Sequence, residues 1–399
     1  MTTIVLRLIL IAVSLWAGGV AAKPATLLVT ARWVFDGEQM LEQRGVLIKD
    51  GKLLAIGDPK SLRAKADKVL NLGDASLLPG FIELHGHLAF QQVPPSVILA
   101  HGVTTLRDVG GPLLAPSGGH GQLRLLTAGP ILTVPGGYPL NVFAHHHAET
   151  GHAHQHLDAN PLAIGLETAD QARQVVRELI AGGAAVIKVA LEPGGEPGAP
   201  WTSAVHSAEG RQWPIMSLEL LQAITAEAHQ QGKLVSAHLS EDQGVNLALQ
   251  GGVDEWAHMP CLAISDELLK RAVEQHVSVV ATLDTLSHCP GIVSNARRLS
   301  ELGAEILYGA ELAHPDIPWG IDSQELKLLM QLTGKTAIQA LQAATAKAGK
   351  QLGLAPLGRL VANAPADLIA VKGDVLKQLK SLEYPQLVIS GGKIIVNQF

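Results

Sequence analysis

Two histidines flank a single glycine at His85-Gly86-His87, closing the apolar run Leu77-Leu78-Pro79-Gly80-Phe81-Ile82-Glu83-Leu84. Alternate side chains of an extended segment point to the same side, so both imidazoles face one way and can chelate one metal ion. Four more ionisable residues stand at or near the ends of separate apolar runs. Lys188 lies within Val186-Ile187-Lys188-Val189, where an unpaired ammonium among β-branched neighbours is costly to bury. His238 ends Val235-Ser236-Ala237-His238, His258 ends Asp254-Glu255-Trp256-Ala257-His258, and Glu311 ends Leu307-Tyr308-Gly309-Ala310-Glu311. For any one of these, a satisfied core or surface polar group is the commoner explanation. All of them on strand ends together read as one pocket built for divalent cations. Neutral imidazole is the commonest protein metal ligand, and the chain carries 17 histidines against 3 tyrosines and 5 phenylalanines.

The elements that would position these residues follow from hydropathy patterning. From about residue 78 to 354, short apolar runs alternate with amphipathic helical stretches. The strand candidates are 81–84, 104–109, 123–127, 185–190, 234–237, 253–257, 277–283 and 306–308. Between them, Thr168 can cap a helix with Val175, Val176, Leu179 and Ile180 on one face, and another helix runs from Ser217 to Gln231 before Gly232. Eight strand slots separated by helices predict a (β/α)8 TIM barrel, whose active site lies at the C-terminal ends of the strands. An open doubly wound sheet is the alternative. Both ends of the chain read differently. Residues 25–78 and the C-terminal segment hold alternating apolar runs broken at Gly51 and at Gly391-Gly392, as β-hairpins do. They predict a small composite β-sandwich made from both termini. The expected division is 1–22 signal peptide, 23–78 first part of the sandwich, 79–354 barrel and 355–399 second part.

The 399 residues suffice for that plan. A formal net charge of -6 gives no reason to expect nucleic acid as a partner. Arg7 precedes the apolar run from Leu8 to Ala22, which ends in Val20-Ala21-Ala22. That run is shorter than the ~20 residues of a membrane span, and reads as a cleaved export signal leading to the periplasm, with no membrane association afterwards. Cys261 and Cys289 are the only cysteines; inert buried thiols are the first expectation and a single disulfide the second. A G-x-S-x-G elbow, an H-E-x-x-H helix and a complete P-loop are all absent from the sequence.

With these residues in view, the chain resembles the amidohydrolase superfamily, in its imidazolonepropionase-like and prolidase-like branch. The resemblance runs from about Ala25 to the C-terminus. It rests on Leu78-Pro79-Gly80-Phe81-Ile82-Glu83-Leu84-His85-Gly86-His87, Gly102-Val103-Thr104-Thr105-Leu106-Arg107-Asp108-Val109-Gly110, Ala343-Ala344-Thr345 before Leu352-Gly353-Leu354, and Ala366-Asp367-Leu368-Ile369. It implies a barrel with a composite sandwich and a centre of one or two divalent metals, here expected to be two Zn2+. His85 and His87 would hold the more buried ion and His238 and His258 the more exposed one. Lys188, carboxylated to a carbamate, would bridge both, since an anion with two oxygens can span two cations where an ammonium would repel them.

Family members usually end the eighth strand with aspartate after Gly-Thr; here Glu311 follows Ala310, and Glu83 stands where aspartate often precedes the histidine pair. Glu311 is the expected metal ligand and general base, with Asp316 and Asp322 nearby but off the strand end. The implied reaction is hydrolysis of an amide C–N bond in a small molecule, such as a dipeptide, an N-acyl amino acid or a cyclic amide, by a metal-activated hydroxide. Tyr138, after the turn Pro135-Gly136-Gly137, could hydrogen-bond the developing oxyanion. A metal-dependent esterase, lactonase or phosphotriesterase on the same site is one alternative, and a non-catalytic exported metal-binding protein another. His145 to His156 places six histidines in twelve residues, suiting metal capture, substrate contact or a solvated loop. An oligomer is left open.

Overall fold

Two tight hairpins set the architecture at the ends of the chain. Strands β1 (Leu27–Phe35), β2 (Met40–Lys49) and β3 (Lys52–Gly57) form an antiparallel meander. Lys49 pairs with Lys52, so the β2–β3 turn is the two residues Asp50-Gly51, both at positive φ (51° and 75°). That is the turn whose twist matches the flanking strands, and glycine takes its second position without steric cost. The chain continues through β4 (Lys68–Asn71) and β5 (Ala75–Pro79), both parallel to β1.

The structure, a computed structural model, describes residues 25–142, 162–194, 213–314 and 316–399. The expected export signal and the His145 to His156 loop lie outside the described residues.

The middle of the chain supplies parallel strands. A three-stranded sheet contains β6 (Phe81–Gly86), β7 (Val103–Asp108) and β8 (Arg124–Thr127). A seven-stranded sheet holds β9 (Ile131–Thr133), β10 (Ala163–Gly165), β11 (Ile187–Ala190), β12 (Val235–His238), β13 (Glu255–Trp256), β14 (Ser278–Val280) and β15 (Ile306–Leu307), in the order β10-β9-β11-β12-β13-β14-β15. The expected alternation of strand and helix holds. The single continuous ladder expected of a barrel does not: two sheets stand in its place. The interruption has a local cause, because Gly129 at φ 79° and Pro130, which has no N–H to donate, separate β8 from β9. One hydrogen bond from Ala185 N to Thr127 O (2.8 Å) joins the sheets on that side, and a parallel bridge between Gly86 and Leu312 joins them on the other.

The intervening helices form where local chemistry favours them. Thr168 Oγ1 accepts from Gln171 N (3.2 Å) at the start of the helix Ala169–Ala181, satisfying one orphan donor of its first turn. Ala172, Val176 and Leu179 of that helix are buried at helical spacing. Ser217 caps Leu218–Gln230 in the same way, through Leu220 N. Burial of each such Val or Leu is worth about 1.5–3 kcal/mol, and these faces join the main core with Leu132, Val189, Trp256 and Val279.

Strands β16 (Leu368–Lys372), β17 (Leu387–Ser390) and β18 (Lys393–Asn397) return the chain to its start. β16 pairs antiparallel with β5, giving one eight-stranded sheet. The termini therefore combine as expected, their strands hydrogen-bonded into one eight-stranded sheet. Val29, Val46, Leu77, Leu368 and Ile389 fill a separate core there. The cysteines correct the first expectation: Cys261 and Cys289, with Cα atoms 4.9 Å apart, form a disulfide, because the loops after β13 and β14 lie side by side. Among the described residues, no helix is long and apolar enough to cross a membrane.

Candidate metal centre

His85 lies inside β6, and His87 follows one residue beyond the strand's end. Both are buried. Backbone bonds bring Glu311 beside them: Leu312 N donates to His85 O (2.9 Å), and His87 N donates to Leu312 O (2.9 Å). Glu83, fully buried beneath, accepts from His85 N (2.8 Å) and Ala310 N (3.1 Å), tying the ends of the first and last strands of the middle segment together. Burial pushes its carboxyl up to about 8 against those two donors. Gly309 is needed here, because a Cβ at that position would lie 2.3 Å from Val280 Cγ1.

The three side chains converge. His85 Nε2 and His87 Nε2 are 3.1 Å apart, and Glu311 Oε1 is 3.8 Å from each. Three atoms at those separations lie on a circle of radius about 2.1 Å, the length of a zinc–imidazole or zinc–carboxylate bond. Proton bookkeeping agrees. His85 Nδ1 donates to Ala257 O (2.6 Å) and His87 Nδ1 faces Gly110 O (3.5 Å), which leaves both Nε2 lone pairs aimed at the shared point. Burial first and the Lys188 ammonium second hold both imidazoles well below the usual histidine range, so they are neutral. Glu311 Oε2 is buried with no hydrogen-bond partner among the described residues, and Glu311 itself sits at φ 58°, a costly left-handed backbone for a non-glycine residue. The donor set fits a divalent ion.

A second group adjoins the first. His238 ends β12, and His258 follows β13 by two residues. His258 Nε2 is 2.6 Å from His238 Nδ1, and the His258 ring lies 6.0 Å from that of His85. Lys188, inside β11 and buried, lowers all four imidazoles electrostatically, after burial in every case. Its own ammonium is pushed down by burial, against the pull of Glu311; the Glu311 carboxyl is pushed up by burial, against Lys188. Tyr138 stacks on His238 with centroids 4.3 Å apart. Thus His85, His87 and Glu311 form one compact triad, His238 and His258 a contacting pair, and Lys188 acts on both. Asp322 does not join them: it caps the helix Ser323–Thr333 through Gln324 N.

Several site residues escape the sequence reading. Glu192 is fully buried with Oε2 3.8 Å from His238 Nε2. It lies four residues past Lys188, on the same face of an extended chain, and that spacing is a usable signal. Arg107, within a motif already singled out, forms a buried pair with Glu255 (2.6 Å) and donates from Nε to Leu84 O (2.8 Å). Trp213 stacks on Tyr138 at 5.9 Å, and nothing in its local sequence points to that contact.

A model of the Amidohydrolase family matches residues 76–395. The ochratoxinase of Aspergillus niger is 28% identical over 305 residues, which cover 71% of this chain and 58% of that protein. The chain therefore spans little more than half the length of that curated relative. The crystal structure of A. niger ochratoxinase superposes with a TM-score of 0.75 at 19% identity, covering 94% of this chain and 96% of that one. A Xaa-Pro dipeptidase with bound methionine gives 0.71 at 20% identity, covering 93% and 99%. At these identities the structural likeness shows the fold alone.

Proposed function

The chain belongs to the amidohydrolase family, and from that premise we propose that it is a metal-dependent hydrolase cleaving an amide bond in a small molecule, such as a dipeptide, an N-acyl amino acid or a cyclic amide. The observation that carries this reading is the buried triangle of His85 Nε2, His87 Nε2 and Glu311 Oε1, sized for one divalent ion. The names of the similar proteins, an ochratoxinase and a Xaa-Pro dipeptidase, support an amide substrate. The two parallel sheets are read as one closed (β/α)8 barrel over residues 79–354, with 23–78 and 355–399 as a flanking sandwich and 1–22 as a cleaved export signal.

When bound, divalent metal supplies Lewis-acid polarisation of the scissile carbonyl and acidifies a water. His85 and His87 would hold an inner ion, and His238 and His258 an outer one. Lys188 would join the two as a carbamate: its neutral amine, favoured by burial, would form an N–C bond to CO2 and release a proton, and the product would carry the negative charge that suits two cations. Imidazole nitrogens and carboxylate oxygens suit Zn2+. Glu311 takes up a proton at the attacking side and delivers it to the departing nitrogen, a role open to Oε2, which has no hydrogen-bond partner among the described residues. The Tyr138 hydroxyl donates to the developing oxyanion, and buried walls exclude bulk water.

The test is hydrolysis by the zinc-loaded chain of a panel of dipeptides, N-acyl amino acids, lactams and lactones, with metal content measured in parallel. Amide turnover should vanish on chelation and return with zinc. The wild-type chain should hold two metals and Lys188→Ala one. Turnover of esters alone would overturn the amide assignment, two metals in Lys188→Ala would overturn the bridge, and metal bound without any turnover would favour a binding protein.

A further inference from the structure

Three near-parallel rings connect the metal centre to two surface loops. Tyr138, in the loop after β9, lies over His238 with centroids 4.3 Å apart and planes 20° apart, and over Trp213 at 5.9 Å and 12°. Tyr138 is anchored from below, packed against the small cluster of Ile131, Ala163 and Ala190. The backbone N–H of Trp213 donates to Pro193 O (2.5 Å). Pro193 is the residue after Glu192, whose Oε2 is 3.8 Å from His238 Nε2. The imidazole of His238 is thus bounded on its face by Tyr138, at Nε2 by Glu192, and at Nδ1 by His258 (2.6 Å).

We propose that Trp213 is a positioning residue, which, by holding Tyr138 against His238, fixes the plane of that imidazole and so sets the affinity of the outer metal position. This rests on the reading above that His238 is a metal ligand. Ligand rings must be held within about 10–20° of productive geometry, and a ring stacked on the imidazole's face resists rotation about its last side-chain bond beyond what contacts at its two nitrogens impose. An imidazole that carries a cation is electron-poor, and the electron-rich phenol of Tyr138 stacks on it more favourably than on the neutral ring. Metal binding and stacking therefore strengthen each other, and linkage makes the effect reciprocal. Supporting groups of this kind typically govern metal affinity by about 10–100-fold.

The experiment titrates the metal-free full-length chain with Zn2+ against a chelating indicator, resolving the two equivalents, and follows tryptophan fluorescence in the same titration. Trp213→Leu fills volume without stacking, and Trp213→Phe restores a ring. The leucine variant should bind the second equivalent about tenfold or more weakly with the first unchanged, while the phenylalanine variant stays near wild type. Fluorescence that changes with the second equivalent should lose that component in both variants. Tyr138→Phe keeps the ring and should keep the affinity; Tyr138→Leu should lose it, and it stands in if Trp213→Leu fails to fold. Second-site affinity unchanged in Trp213→Leu, or in Tyr138→Leu where that variant stands in, would overturn the proposal. His238→Ala separates the two levels: two metals retained there would refute the ligand assignment, whereas loss there with none in Trp213→Leu would refute only the positioning role.

Discussion

Glu311 shows how far a single side chain departs from what is comfortable. Its left-handed backbone costs on the order of 1 kcal/mol, and its carboxylate is buried beside a lysine and two histidines. That geometry turns Oε1 toward the Nε2 atoms of His85 and His87 and leaves Oε2 without a hydrogen-bond partner among the described residues. Glu311→Gln keeps size and one ligating oxygen but removes the proton acceptor. It should lower kcat by about a hundredfold to ten-thousandfold while the chain retains metal; steady-state kinetics with metal analysis on the same sample checks both. Much of the site was legible at this scale. His85 and His87 are visible because period two is the period of a strand, and Lys188 because it interrupts an apolar run. Glu192 was legible by the same period but overlooked. Trp213 was not, since a lone tryptophan in a polar stretch carries no spacing to read.

Among the elements, strand positions came through well, because apolar runs bounded by polar residues mark buried parallel strands. The Gly129-Pro130 break did not come through as a division into two sheets, since hydropathy carries no ladder. Nor did the disulfide: a separation of 28 residues says nothing of proximity until β13 and β14 are adjacent. Cys261 follows His258 by three residues, so the bridge steadies the loop that carries a site histidine. Cys289→Ser should cost roughly 3 kcal/mol of stability from loop-closure entropy, measured as a lower denaturant midpoint; an unchanged midpoint would contradict this.

The helix Ser323–Thr333 carries a different liability. Its cap, Asp322, faces Asp284, Glu325, Glu83 and the Tyr308 hydroxyl, and burial followed by the Asp284 charge raises its carboxyl from 3.8 to about 7. Between about pH 4 and 7 the folded chain therefore holds a proton that the unfolded chain has lost, so stability falls as pH rises through that window. Asparagine caps a helix as well as aspartate. Asp322→Asn should flatten the fall of Tm between about pH 4 and 7, and parallel curves for the two proteins would refute the assignment.

Across the whole molecule, the two ends of the chain serve the middle. The β2–β3 tip meets the β17–β18 tip: Ala366 N donates to Gly51 O (2.8 Å), Gly392 N donates to Ala366 O (3.0 Å), and a Cβ on Gly51 would lie 3.0 Å from Gly391 O. This closure clamps β5 between β1 and β16, and β5 runs through Gly80 directly into β6, the strand of His85. Arg124 and Asp367 (3.2 Å) add a tie between the third parallel strand and the terminal sheet. That both ends would meet was legible from their shared hairpin grammar. That they would merge into one sheet was not, because edge pairing between distant strands depends on register rather than composition. On the proposed function, this scaffold converges His85, His87 and Glu311 on one divalent ion. Anomalous diffraction at the zinc edge from crystals of the zinc-loaded chain tests that convergence most directly. A peak is expected about 2 Å from His85 Nε2, His87 Nε2 and Glu311 Oε1 together; zinc bound elsewhere, with these three atoms uncoordinated, would contradict the convergence.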